Sequence, residues 1–200
     1  MLVAPVTLEG DHVRLEPLTP AHVEPLMVVA TDEELWRLTT SRVRDAEELR
    51  EYVEHALRLQ QAGSALPFAI VDRASGRAAG STRYANIDLA NRRLEIGWTW
   101  LGRPFQRTAL NTEAKLLLVE HAIERLGCMR VEFKTDALNE RSRAALLRIG
   151  AREEGTLRKH SVTWSGHVRD SVYYSIIDEE WPSVKAMLKD KLQRAAARAQ

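Results

Sequence analysis

Apolar positions along the chain change period several times, and each change marks an element. His12-Val13-Arg14-Leu15-Glu16 alternates polar and apolar as a half-buried strand does. Thr19-Pro20 supplies a capping hydroxyl with proline at the first helical position, opening a helix that carries Val23, Leu26 and Met27 and fades near Thr31. Leu49, Val53, Ala56 and Leu57 recur at three- and four-residue spacing and predict a second helix over 45–61, closed by Gly63. Strands over 66–72, 78–87 and 92–101 follow, joined by turns at Arg73-Ala74-Ser75-Gly76 and Asn91. Leu116, Val119, Ile123 and Leu126 share one face of a helix over 112–126, with Gly127 at its end. A strand over 129–135, a helix over 139–149 stopped by Gly150, and two strands over 154–162 and 168–177 about the turn Ser165-Gly166 complete the middle. Pro182 opens a last amphipathic helix on Val184, Leu188 and Leu192, over 182–197.

Strands in short-linked runs mixed with helical crossovers make an α+β pattern, a mixed sheet covered by helices on both faces. The three consecutive strands are antiparallel, and each later strand–helix–strand crossover favours parallel pairing, the second being the one able to break that rule. No linker interrupts the order, so residues 1–200 are expected to form a single domain with a core over about 10–180. Composition narrows the function classes. The chain is 44% hydrophobic and 28% charged, ordinary globular usage that leaves no place for disorder or low complexity. A net charge of +1 speaks against general phosphate-backbone affinity, so no nucleic-acid partner is expected. One cysteine favours a reducing compartment, residues 1–10 lack the basic start and apolar stretch of a secretion signal, and no segment approaches the roughly 20 apolar residues of a membrane span. The expectation is a soluble, cytoplasmic protein with no membrane partner.

The chemistry concentrates where the strand Glu95-Ile96-Gly97-Trp98-Thr99-Trp100-Leu101 runs through a loop into the helix at Thr112. Unpaired first-turn amides and the positive end of the helix dipole make such a junction an anion site, and Arg103 and Arg107 add charge to it. Any strand–loop–helix shares that geometry, so a generic loop is the competing reading.

Residues spread along the chain decide between them. The strand Leu94-Glu95-Ile96-Gly97-Trp98, the run Gln106 to Ala114, the helix start Asn139-Glu140-Arg141-Ser142, Gly150-Ala151 with Glu154-Gly155, and Arg169-Asp170 through Tyr173 together resemble a GNAT-family N-acetyltransferase. The branch is the one similar to the ribosomal-protein N-terminal (RimJ/RimL-like) acetyltransferases. The resemblance spans roughly residues 10 to 180 and implies a mostly antiparallel central sheet. It also implies an enzyme that moves an acetyl group from acetyl-CoA directly to a primary amine, either a protein N-terminus or a small amine, with no metal and with a homodimer as the family-level expectation.

The same resemblance assigns roles. Gln106, Arg107, Thr108, Ala109, Leu110 and Asn111 correspond to the pyrophosphate loop, Gln106 matching and Ala109 and Asn111 standing at its two small positions. Ala109 keeps most of the room a glycine would give, while Asn111 either adopts the left-handed region or caps the helix. Trp100 and Leu101 end a strand resembling the family's bulged strand, which receives the pantetheine arm. Glu95 stands where the family often places the base, against the alternative of a solvated or salt-bridged strand glutamate. Strict alternation sets Glu95 and Gly97 on one face and Ile96, Trp98 and Trp100 on the other, unless a bulge resets the register. Ser142 matches the serine that returns a proton to the CoA thiolate. Asn139, three residues earlier on the same helix face, would also touch the coenzyme, or act as a plain N-cap. Trp36, Trp98 and Tyr173 are the acceptor-site candidates, with burial in the core as the alternative for the tryptophans.

Other features carry less. Cys128 reads as core packing, and nothing orients His121 toward it. His160 and His167 straddle a turn without metal-ligand support. Arg141, Arg143, Arg148 and Arg152 read as a solvated helix face. Two alternatives remain open: the same fold with succinyl-CoA as donor, or a CoA- or peptide-binding module without turnover.

Overall fold

The computed structural model describes residues 2–199. Eight strands form one sheet in the order β1-β2-β3-β4-β5-β6-β8-β7. They are β1 (Leu8–Glu9), β2 (Val13–Pro17), β3 (Leu66–Asp72), β4 (Ala78–Asp88), β5 (Arg93–Leu101), β6 (Arg130–Asp136), β7 (Arg152–Val162) and β8 (Val168–Ile177). The helices are α1 (Val23–Ala30), α2 (Ala46–Gln61), α3 (Leu110–Glu120), α4 (Glu140–Arg148) and α5 (Trp181–Ala199). Helices α1 and α2 pack on β3 and β4, while α3, with α5 against it, packs on β2. The buried residues form one apolar cluster, from Val13 and Leu15 in β2 to Trp181 and Leu188 in α5.

Every neighbouring pair is antiparallel except β5 and β6. The crossover through α3 gives that one parallel pair, as right-handed β-helix-β units do. Strand β8 then inserts between β6 and β7, so the second crossover yields no adjacent parallel pair. The parallel ladder has only three rungs, Arg93↔Arg130, Leu94↔Val131 and Glu95↔Glu132. Past Glu95 the two strands share no rung, and a wedge opens between them.

Local chemistry accounts for most boundaries. Thr19 caps a short 3-10 turn at Pro20–His22 that leads into α1, and the Asp45 carboxylate accepts the Glu48 amide at the start of α2. Two of the departures from the pattern-based expectation bear on the site. Helix α3 begins at Leu110, two residues early, because the Thr108 hydroxyl accepts the Leu110 amide at 3.3 Å. At its far end the ladder slips to a π-helical turn over His121–Arg125. The short edge strand β1 has too few residues to show a period. The turn between it and β2 is held by Glu113 of α3, whose carboxylate accepts the amides of Asp11 (2.9 Å), His12 (2.6 Å) and Val13 (2.7 Å). A Cβ on Gly10 would lie 2.4 Å from the Glu113 carboxyl carbon, so this clamp needs glycine there.

Candidate active site

The wedge past Glu95 is flanked by two helix N-termini, those of α3 and α4. Gln106 ties them: its Nε2 donates to the Leu101 carbonyl at 2.6 Å, and its Oε1 accepts from Arg141 Nη2 at 2.9 Å. The loop from Gly102 to Ala109 thus leaves β5, turns at Arg107 and enters α3. Arg107 takes the left-handed conformation (φ 62°), the role the sequence had offered to Asn111, which instead lies in the first turn of α3. Ala109 is the N-cap and makes no side-chain cap bond. Arg107 and Thr108 are exposed, and Arg107 takes no ion-pair partner among the described residues. Arg103 differs, since Asp32 accepts from its Nε at 2.8 Å. The Asn111 and Thr112 amides of α3 have no intrahelical acceptor by geometry, the Glu113 amide being the one that reaches the Ala109 carbonyl. Open amides and an uncommitted guanidinium suit a pyrophosphate, so the residues present fit the coenzyme that the resemblance implied.

At the vertex of the wedge the Glu95 side chain is 2% exposed. Its Oε2 accepts from Asn86 Nδ2 at 2.7 Å and pairs with Lys134 Nζ at 3.1 Å. Strict alternation fails just beyond it. β4 and β5 shift register between the pairs Arg83↔Gly97 and Ser81↔Trp100, where one β4 residue faces two on β5, and Trp98 adopts φ 48°. The bulge turns Trp98 to the same face as Glu95: Lys134 Nζ, bonded to Glu95, lies 5.6 Å from the Trp98 ring centroid. Thr99 points the other way, where its hydroxyl accepts from Lys115 Nζ at 2.7 Å and bonds Thr82 at 2.7 Å. Lys115 is buried in α3, and desolvation pushes its pKa down to about 7.

Trp36 and Trp98 are linked through Tyr52 and Arg83, which the sequence pattern did not mark. Trp36 meets Trp100 at 5.3 Å and Tyr52 of α2 at 5.8 Å between ring centroids. Arg83 lies between Tyr52 and Trp98, 5.0 Å from each centroid. Trp36 is itself fixed, donating its indole N–H to the Ala30 carbonyl at 2.7 Å, and Trp164 of the β7–β8 hairpin donates to the Trp36 carbonyl at 2.8 Å. Tyr173 stands on β8 opposite Lys134, on the same face, edge-on to His160 at 5.8 Å.

Arg83 is fully buried, and none of its three guanidinium nitrogens has a hydrogen-bond partner among the described residues. A buried unpaired ion costs several kcal/mol in effect, whereas a desolvated cation–ring contact returns about 2 kcal/mol. A signal was present in the sequence: an arginine inside Ala-Ala-Gly-Ser-Thr-Arg-Tyr, where small and apolar neighbours leave no solvated face.

Across the wedge, Asn139 is the N-cap of α4, its Oδ1 accepting the Ser142 amide at 3.0 Å. Ser142 is half-buried, next to the Arg141 that reaches Gln106. The basic run does behave as a surface: Arg143 bonds Tyr174 and Glu153, and Arg152 pairs with Glu180. Burial pushes the Cys128 thiol up to about 11, so it is protonated at neutral pH.

Comparison with known proteins follows the same outline. The family model described as an acetyltransferase (GNAT) domain matches residues 12–152. A Bacillus subtilis (strain 168) protein named "Putative ribosomal N-acetyltransferase YdaF" is 36% identical over 110 residues. That match takes in 55% of this chain and 59% of the relative's length, so a large part of that relative lies outside it. A solved GCN5-related N-acetyltransferase from Brucella melitensis superposes with a TM-score of 0.88 at 32% identity, over 95% of this chain and 86% of that one. A second solved structure, a "putative acetyltransferase" from T. thermophilus, gives 0.87 at 39% identity, over 96% of this chain and 100% of that one.

Proposed function

The chain belongs to the GNAT acetyltransferase family, and from that premise we infer that it moves an acetyl group from acetyl-CoA to a primary amine. The observation carrying this reading is the wedge itself, with a buried carboxylate at its vertex and two helix N-termini at its mouth. The substrate class proposed is the amine of a protein N-terminus, in line with the ribosomal acceptor in the name of the Bacillus subtilis relative; a small amine is the second candidate.

In this reading the thioester supplies an activated acyl carbon, and the chain's residues do the rest. The open amides of the α3 turn and Arg107 hold the pyrophosphate. Backbone of β5 past Glu95, released from its β6 partner, is free to donate to the thioester carbonyl. Glu95, held in place by Asn86 and Lys134, takes a proton from the incoming ammonium. The neutral nitrogen then forms the new N–C bond and the C–S bond breaks. The Ser142 hydroxyl gives its proton to the departing thiolate and is reprotonated by the second proton that the new amide nitrogen sheds, while the proton on Glu95 passes to solvent.

Thermal unfolding with and without acetyl-CoA tests the binding half. At 100 times its Kd a ligand raises native stability by about 2.7 kcal/mol, a few degrees at this chain length. Thiol release in the presence of amines tests the chemistry. Glu95→Gln should slow release by about 10²- to 10⁴-fold with little change in acetyl-CoA affinity. An unaltered rate would remove Glu95 from the mechanism, and absence of any stabilisation by acetyl-CoA would remove the whole reading.

A further inference from the structure

Unsatisfied buried donors are concentrated on one patch of the sheet. Besides the three nitrogens of Arg83, the Ser81 hydroxyl and the Trp100 indole N–H are buried without a hydrogen-bond partner among the described residues. Ser81 and Trp100 are directly opposed on β4 and β5, and Arg83 is two residues from Ser81 on the same face. Guanidinium and indole N–H groups only donate, and a serine hydroxyl can donate as well. The matching ligand is therefore an acceptor of several hydrogen bonds, and the guanidinium fork adds charge and the spacing of a carboxylate.

Charge around the patch points the same way. Lys134 is committed to Glu95, and Asp136 accepts from Leu138 and His167. Arg169 is also buried, its Nε without a partner among the described residues, and the Asp136 and Glu95 carboxylates attract its charge. Neither carboxylate is bonded to Arg83. The Tyr52 and Trp98 rings each lie 5.0 Å from the guanidinium carbon, contacts that leave its N–H donors without an acceptor among the described residues. The patch adjoins the Glu95 vertex through Gly97, the rung partner of Arg83.

We propose that this patch recognises a carboxylate carried by one of the two substrates, with Arg83 as the specificity-determining residue. The carboxylate belongs either to the acyl group, as in a succinyl donor, or to the acceptor, as in a short amino acid or peptide with a free C-terminus. The inference rests on the acyl-transfer reading for the identity of the two substrates, but not for the existence of the anion site.

Calorimetric titration decides it in two arms. In the first, wild-type protein is titrated with acetyl-CoA and succinyl-CoA. In the second, with CoA present, it is titrated with alanyl-alanine and with the C-terminal amide of that dipeptide. In one arm the carboxylate-bearing form should bind at least about tenfold more tightly, as a charge-assisted hydrogen bond implies. Arg83→Met should abolish that preference while leaving acetyl-CoA affinity within about threefold, a smaller change than one such bond gives, and Arg83→Lys should restore part of it. The arm that shows the preference names the source of the carboxylate. Equal affinity for both members of each pair in the wild type overturns the proposal, whether or not the variants fold. A preference that survives in Arg83→Met overturns it as well. Failure of both thioesters to bind would sink the acyl-transfer reading, while the dipeptide arm would still decide on Arg83.

Discussion

At the scale of single residues, Gly97 decides how Glu95 is presented. A Cβ at position 97 would stand 2.6 Å from the Glu95 Oε1 atom, closer than a carboxylate oxygen tolerates. The absence of that carbon gives the carboxylate its place above its own strand, within reach of Asn86 and Lys134. Gly97→Ala should therefore displace the Glu95 carboxyl group without touching the loop proposed to hold the pyrophosphate. On the proposed mechanism the expected outcome is a kcat at least about tenfold lower with unchanged acetyl-CoA affinity, since misplacing the proposed general base forfeits part of its contribution. Steady-state kinetics beside a binding titration checks it, and equal losses in both would show a collapsed strand instead. Glu95 and Gly97 were already visible in the sequence as neighbours on one face of a strand. Trp98 was not: its left-handed backbone follows from the fit of β5 against β4, which alternation in one strand does not contain.

At the scale of elements, α3 carries two charges inward that its pattern of apolar residues concealed. Leu116 and Val119 mark the core face, yet Glu113 and Lys115 are buried as well, so the helix is enclosed nearly all round. Glu113 is satisfied by three backbone amides. Lys115 has the Thr99 hydroxyl and no carboxylate partner among the described residues, and its depressed pKa has a consequence for stability. Below about pH 7 the ammonium is charged in both the folded and the unfolded chain, and its burial cost is fully present. Between about 7 and the ordinary lysine value of about 10.4 the unfolded chain holds a proton that the folded one lacks, so stability rises with pH. Lys115→Met should raise the denaturation midpoint at pH 7 and flatten that rise, as urea titrations from about pH 7.5 to about pH 9.5, a range inside that window, will show. The sequence identified α3 and its loop, but the first-turn details depended on which hydroxyl reached which amide. Thr108 supplied the hydroxyl that accepts the Leu110 amide and Arg107 the positive φ, and both choices follow from the path the loop takes after Gly102.

At the scale of the whole molecule, the element order was largely legible because long periodic segments and short turns fixed it: three antiparallel strands in the middle and one parallel crossover through α3. The opening between β5 and β6 was not, because it results from two strands diverging after three rungs and leaves no mark in either alone. Arg83 escaped for a related reason, since its isolation depends on Tyr52 and Trp98 arriving from different elements. That three-rung ladder also gives the sheet a line of weakness. Strands β1 to β5 form one plate and β6, β8 and β7 another, and the seam between them is the least extensively hydrogen-bonded line in the interior. Opening along a short ladder needs less free energy than opening a long one, so amides at the seam should exchange with solvent sooner than those of the neighbouring ladders. A molecule seated in the wedge would touch both plates and act as a rivet. Hydrogen exchange at Leu94 and Val131 should then slow when acetyl-CoA is added, while exchange in the β2–β3 ladder should respond far less.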